Sequence, residues 1–497
     1  MKKYITILSM FATAFAFADG EFYDDQTISK DFSNQSMNRS SWKNCKLSGS
    51  IFNGTKLQRA KFDGASFGSF QFTNCDLTKS SFTNTRISEI SEMIFDGCKM
   101  ENINFAGAGL GGPRYATKFL NISSLRNVDF TSATLASAFN ASIGYTSYAN
   151  AVDFSNIDMT GCNFSNAVLA VSKYEKASVK FDNSVLTKTN FTGATLSSWG
   201  SSVNFSNVDL KEADFTNAVM IFDEKRYSVW TSVNMSNSDL RGAKFDNVVL
   251  GGENTAVVFA KSNLQNVSLK NVVFSELNNF FYADLRGGDL TGARIAGKTL
   301  NTIWVDGEIK NFSLDDDYLS IRKYVPATSG GAMINAKIVD DASISGGAVL
   351  TLEEGAVLEI ASGKTLSVID DSEIIFKVDA AASDATKILL GENSKLAFGS
   401  DSKITINLDG TISPDDSYTF SVIEMAVGSQ VTGTDSLKKE NVILNVNSEE
   451  YDSSKWTFDF DSSTGALNIN VNVPEPAEWA MIFGVLALGF AVYRRRK

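Results

Sequence analysis

No histidine occurs in the 497 residues. A Ser-His-Asp triad, a Cys-His pair and the common zinc sites all need an imidazole that titrates near neutrality, so those chemistries are excluded. Proline is scarce at five, and basic residues fall short of acidic ones, 45 against 57, leaving a formal charge of −12. A surface this acidic repels phosphate backbones, so nucleic acid is not expected as a partner. Abundance lies elsewhere, in 36 Phe, 36 Gly and a heavy load of Asn and Ser. That is not the usage of a helical or doubly wound domain, and strands and turns should dominate. The length exceeds one ordinary core, which leaves several domains or a repeat array.

Both ends carry targeting patterns. Lys2 and Lys3, an apolar run from Tyr4 to Phe17 and the small-residue box Ala16-Phe17-Ala18 read as a secretory signal over residues 1–18, too short for a membrane anchor. At the other end, Pro474-Glu475-Pro476 precedes an apolar stretch from Trp479 to Tyr493 and the cations Arg494, Arg495, Arg496 and Lys497. Interfacial aromatics and a basic terminus suit one short transmembrane helix. Residues 474–497 resemble the PEP-CTERM sorting signals that an exosortase-type enzyme processes in Gram-negative bacteria. The resemblance implies a transient inner-membrane anchor, then release to the cell surface or outside the cell, with membrane contact only through the tail. The alternative is a permanent single-span anchor.

Between the ends runs a five-residue period. From Phe32 every fifth residue to Ile87 is large and apolar: Met37, Trp42, Leu47, Phe52, Leu57, Phe62, Phe67, Phe72, Leu77 and Phe82 intervene. Two residues before each centre the chain prefers something small, as at Ala60, Ala65, Ala194 and Ala213. Ala213-Asp214-Phe215-Thr216-Asn217 and Ala283-Asp284-Leu285-Arg286-Gly287 show the pattern, which resembles the pentapeptide-repeat family. The resemblance implies an all-β fold, a right-handed quadrilateral solenoid whose centres fill the interior. After Ile87 the centres come in blocks of four, one coil each, beginning at Phe95, Leu120, Phe154, Phe181, Phe205, Met235, Phe259 and Leu285 and ending at Leu300. Eleven coils over residues 30–302, behind an N-terminal cap at 19–29, would make a rod about 50 Å long at the usual strand spacing. Cys45, Cys75, Cys98 and Cys162 occupy the small position, and Cys75 and Cys98 should be stacked neighbours within disulfide reach.

Residues 303–335 read as a transition, where Asp315-Asp316-Asp317 lacks the glycine-bearing spacing of a calcium loop. Short alternating strands then recur through 336–473. Residues 336–410 resemble autotransporter-type β-helix passengers, which implies a β-helix there. The longer strands after Tyr418 look like a closing β-sheet cap.

The extra residues between coils, at 90–92, 113–117, 138–151, 172–178, 199–202, 223–232, 253–256 and 277–282, all fall after a fourth centre, so loops should line one edge. They hold Tyr115, Phe139, Tyr145, Tyr148, Tyr174, Trp199, Tyr227, Trp230, Phe280, Phe281 and Tyr282, about twice the 11% aromatic content of the chain. Exposed rings suit sugar faces or an extended partner, and they serve equally well to shield the corner. The reading is therefore an exported, non-catalytic structural or scaffold protein with no cofactor. The alternative is a module binding extracellular glycan or surface proteins through Trp199, Tyr227, Trp230, Tyr145, Tyr148, Phe281 and Tyr282. A polysaccharide-degrading β-helix enzyme working with carboxylates alone is a third reading, for which Asp223, Glu224, Lys225 and Arg226 form only a charged loop. Some pentapeptide-repeat proteins mimic a duplex and protect a topoisomerase, a role at odds with the export pattern.

Overall fold

The computed structural model describes residues 20–87, 92–111, 115–139, 148–172, 176–198, 200–224, 229–379, 386–410 and 417–471. They fall into two compact units that divide between Thr299 and Leu300.

In the first unit each pentapeptide is one side of a four-sided coil. The residue before each centre bridges in parallel to its equivalent one coil on, as in the run Asp129, Asn163, Asn190 and Asp214. Because its neighbours face outward, the centre faces in. Four inward columns result. The first holds Phe32, Phe52, Phe72, Phe95, Phe119, Phe154, Phe181, Phe205, Met235, Phe259 and Phe280. The third opens on Trp42 and continues through Phe62, Phe82, Phe105, Phe130, Phe164, Phe191, Phe215 and Phe245, and all of these are buried. Leu, Met and Ile supply the second column and most of the fourth, where Phe67 and Phe274 are also centres. Along a column the rings stack, with Phe130, Phe164 and Phe191 at centroid separations of 4.8 and 5.2 Å and within 8° of parallel. Across the interior the two columns meet edge to face, as Phe181 meets Phe191 at 6.2 Å and 84°. Both geometries suit the ring quadrupole.

Corners turn two residues after a centre, where φ is positive: Asn34, Asn84, Asn127, Asn166, Asn217 and Asn271 lie between 53° and 59°. This is the region Asn and Gly tolerate best, and it accounts for the Asn content. At Gly54, where φ is 66°, a Cβ would lie 2.6 Å from Asn34 Oδ1, so that side chain would have to shift. At the small position, two residues before a centre, Ser80 Oγ donates within its own coil to Leu77 O at 2.6 Å, while some other hydroxyls donate to a carbonyl of the previous coil, Ser184 Oγ to Phe154 O at 2.6 Å and Thr189 Oγ1 to Met159 O at 3.2 Å. Thiols do likewise, Cys98 Sγ to Phe72 O at 3.3 Å and Cys162 Sγ to Leu125 O at 2.9 Å. All four cysteines are free and buried. Cys75 and Cys98 do stack on successive coils of the second side, where Lys99 N donates to Cys75 O at 2.9 Å.

Four details differ from the sequence reading. Phe119, not Leu120, is the first centre of its coil, pairing with Phe95, and Leu120 is 42% exposed. Phe280 is a centre rather than a loop aromatic: it is 1% exposed and stacks on Phe259 at 5.4 Å. The eleventh coil therefore runs Phe280, Leu285, Leu290, Ile295, and Leu300 is outside it, because one extra residue after Phe274 suffices to turn the corner. Residues 20–29 are more than a cap: Tyr23 stacks on Trp42 at 4.1 Å and Thr27–Ile28 pairs in parallel with Lys46–Leu47, forming two sides of a further coil. Finally, the 303–335 segment already contains coil strands of the second unit.

That unit is a three-sided parallel β-helix. Leu314–Asp315, Ala342–Ser345, Thr365–Val368, Lys395–Phe398 and Gln430–Thr432 form one sheet; Tyr318–Ile321, Val349–Leu352, Glu373–Asp379, Lys403–Asp409 and Val442–Val446 a second; Ala336–Ile338, Val357–Ile360, Lys387–Leu390 and Ile423–Met425 a third. Alternate residues such as Leu350, Ile374 and Ile404 are buried in register. An antiparallel sheet of Ser417–Phe420, Ala466–Val471 and Trp456–Asp461 follows, consistent with the expected closing sheet.

Phe164→Ala, which empties one place in the third column, should lower unfolding free energy by about 3–5 kcal/mol in denaturant titration. Lys188→Gly, relieving a φ of 60°, should raise it by up to about 1 kcal/mol, since the exposed Lys188–Glu212 pair that it removes contributes little.

Candidate binding edge at one corner

A single extra residue lies between the centres Phe119 and Leu125, but the longer insertions leave the first unit at the corner between the fourth side and the next first side. They form antiparallel hairpins: Ala136–Phe139 with Tyr148–Ala151, Ala170–Ser172 with Lys176–Ser178, Ser197–Ser198 with Ser201–Ser202 and Ile221–Glu224 with Val229–Ser232. Shorter insertions close with single bridges, Gly111 to Ala116 and Gly251 to Ala256. One hydrogen bond pinches six of the necks. The amide two residues before the first-side centre donates to the carbonyl of the preceding fourth-side centre: Thr117 to Leu110, Val152 to Leu135, Val179 to Leu169, Val203 to Leu196, Val233 to Met220 and Val257 to Leu250, at 2.8 to 3.0 Å. The neck thus returns the chain to the coil in register whatever the loop length. Neighbouring hairpins touch as well, Thr231 Oγ1 donating to Ser198 O at 2.8 Å.

Of the aromatic residues expected to bind, Trp199, Tyr145 and Tyr227 lie outside the described residues. Tyr148 and Trp230 sit in hairpin strands, opposite Phe139 and Asp223. Phe281 and Tyr282 are not on a loop: they follow the buried Phe280 on the first side of the last coil, with Tyr282 at the positive-φ corner (60°) and Lys261 Nζ 5.5 Å from its ring centroid. Of the charged loop, Asp223 and Glu224 are strand residues, while Lys225 and Arg226 lie outside the described residues, as do Pro474, Glu475 and Pro476. Tyr115 is described and 46% exposed. It lines a cleft of about 660 Å³ with Glu92, Lys118, Leu120, Asp153 and Asn156, a group the aromatic count along the loops overlooks because only one member is aromatic.

Charges elsewhere have structural explanations. On the second side Lys211 Nζ lies 2.8 Å from Asp209 and 3.4 Å from Asp239, and Arg241 Nη2 is 2.7 Å from Asp239 Oδ2. Burial pushes the Asp239 carboxyl up, but the hydrogen bonds and charge of Arg241, with Lys211, hold it below the usual carboxylate range. Arg286 and Asp284 form a buried bidentate pair, joined by Gln265 Nε2 at 2.8 Å from Asp284. Asp315 accepts from Ser345 Oγ at 3.0 Å, and no cluster of metal-ligating side chains occurs among the described residues.

Four sides of five residues, inward Phe and Leu columns and positive-φ corners define a pentapeptide-repeat β-solenoid, followed in the chain by a β-helix. A family model described as pentapeptide repeats matches residues 31–64 and 56–91, so this part of the chain carries pentapeptide repeats. No curated protein matches the sequence. Among solved structures it is similar to HetL, a pentapeptide repeat protein involved in heterocyst differentiation regulation from the cyanobacterium Nostoc sp. strain PCC 7120, at 17% identity over 61% of this chain and 97% of that one, with a TM-score of 0.24. QnrB1, a plasmid-mediated fluoroquinolone resistance protein, is 17% identical over 47% of this chain and 93% of its own, with a TM-score of 0.18. Rfr23 from the cyanobacterium Cyanothece 51142 is 18% identical over 30% and 90%, with a TM-score of 0.10.

A depressed carboxylate stabilises the fold above its unfolded value near 4 and loses that contribution as pH falls. Thermal stability of the solenoid should therefore drop below about pH 4, and less steeply in Asp239→Asn, as melting curves across pH 2–7 would measure.

Proposed function

We propose that the chain is an exported, non-catalytic scaffold that displays its corner hairpins at the cell surface or in the extracellular matrix. The observation that carries this reading is the division of labour in the first unit: the interior is filled by stacked side chains, and the longer insertions gather on one edge, six of them behind the same neck bond. Repeat proteins present binding surfaces in this way, with variation in the loops and none in the frame. Export rests on the signal pattern at residues 1–18 and on Pro474-Glu475-Pro476 with its apolar, basic-ended tail. Processing calls for an exosortase-type enzyme as partner and for a Gram-negative host, with a transient inner-membrane anchor. No helix among the described residues is long and apolar enough to cross a membrane, and the tail lies outside them.

A second reading, favoured by the aromatic density of the loops, makes the edge a binding module for extracellular glycan or surface proteins. Intact-mass measurement on native protein tests the first: the mature chain should end near Pro476 and be found outside the inner membrane, whereas a chain retaining Arg494 to Lys497 would be a permanent anchor. For the second, Trp199→Ala, Tyr227→Ala and Trp230→Ala together should abolish retention on cell-wall or matrix material at nearly unchanged melting temperature. A large loss of stability with retention intact would mean that the rings only close the corner.

A further inference from the structure

The position two residues before the first-side centre is buried after each insertion, as Met93 or Asn278 in two coils, and at Thr117 it departs from the commonest residue by an isosteric hydroxyl. After five insertions it is valine, at Val152, Val179, Val203, Val233 and Val257, each at most 1% exposed. After the insertion at 113–117 it is Thr117, equally buried and with the same neck bond to Leu110 O. Threonine and valine have the same shape, so packing does not ask for the hydroxyl. Hydroxyls at small positions elsewhere in the unit donate to a carbonyl of the previous coil, as Ser184 and Thr189 do, or of their own coil, as Ser40, Ser80 and Thr85 do, but Thr117 Oγ1 has no hydrogen-bond partner. Such a group destabilises the fold by about 1–3 kcal/mol unless something satisfies it. Thr117 belongs to the wall of the cleft that Tyr115 lines.

The rest of the cleft has the character of a saccharide subsite. Tyr115 and Leu120 present exposed apolar surface, 46% and 42% accessible, where the repeat ordinarily turns polar residues outward. A pyranose offers one C–H face to such a surface and a rim of hydroxyls that need both donors and acceptors. Glu92 forms an ion pair with Lys118 in the cleft wall, and Asp153 is 3.7 Å from Lys180 Nζ beyond it, so both lining carboxylates have a cation beside them. A charged ligand would have to break one of these pairs, whereas a neutral one need not.

We propose that this cleft binds one ring of a neutral polysaccharide, with the Tyr115 ring against the sugar face and Thr117 Oγ1 paired to a sugar hydroxyl. Thr117 Oγ1 is screened from solvent in the unliganded chain, so pairing requires a small shift of the cleft wall on binding. The inference rests on the binding reading of the corner edge and assigns it a place and a ligand class.

The test is isothermal titration of the full chain with neutral hexasaccharides of glucose, N-acetylglucosamine, mannose and xylose, with a polyuronate as acidic control. At least one neutral hexasaccharide should bind. Tyr115→Ala should weaken it at least tenfold. Thr117→Val should weaken it about three- to tenfold, the range of one hydrogen bond, while leaving melting temperature equal or higher. A purely structural Thr117 would instead lose stability on substitution and leave affinity unmoved. Absence of binding to all four neutral sugars, preference for the polyuronate, or binding indifferent to both substitutions overturns the proposal. Binding lost in the Trp199, Tyr227 and Trp230 triple variant but kept in Tyr115→Ala would move the site to the hairpins, preserving the binding reading while removing this cleft from it.

Discussion

Everything in the first unit depends on coil-to-coil registry, the requirement that each pentapeptide lie directly over its equivalent in the next coil. The parallel backbone bridges impose a spacing near that of neighbouring strands. That spacing is one at which aromatic rings stack with a slight offset, so a column of Phe satisfies the backbone and the side chains together. A misplaced residue breaks both at once. The sequence therefore keeps Phe on the first and third sides over most of the length and gives the shorter aliphatic residues to the other two. Rings on opposite sides can then meet edge to face without colliding.

Registry also explains where irregularity is tolerated. A side cannot grow, because its centre would leave the column. A corner can, provided the chain re-enters in phase, and the recurring neck bond from Thr117, Val152, Val179, Val203, Val233 and Val257 secures that re-entry. Restricting hairpins to a single corner lets those of adjacent coils support one another, as Thr231 does with Ser198. An edge crowded with loops follows because elsewhere the coil absorbs no more than a single extra residue, between Phe119 and Leu125.

Much of this was legible in the residues. A five-residue period of large apolar centres is a strong signal because burial demands it, and the coil count, the column of small residues and the stacking of Cys75 on Cys98 all follow from it. The misreadings share a cause. At 119–120 and again at 280, two neighbouring large apolar residues compete for one inward place, and sequence alone does not say which faces in. Backbone pairing decides, placing Phe119 opposite Phe95 and Phe280 on Phe259. The positive-φ corner had a visible signature in the Asn and Gly two residues after each centre, which a search for inward residues passes over. In the second unit the first coil strands were missed because Leu314–Asp315 and Tyr318–Ile321 are short and lie among charges, so their alternation is weak.

Functional residues are harder to read for a related reason. Repetition makes departures informative, yet a departure shows only once its equivalents are aligned by coil rather than by sequence distance. Insertions of different length separate Thr117 from the five valines that share its position, and no fixed spacing links them. Stacked in register, Thr117 and these valines share one column, and at Thr117 a methyl has become a hydroxyl with no hydrogen-bond partner. In a frame where shape is prescribed by the neighbour above and below, an isosteric change of polarity is what packing cannot explain, and the same comparison applied along each column separates residues that serve the coil from residues that serve a ligand.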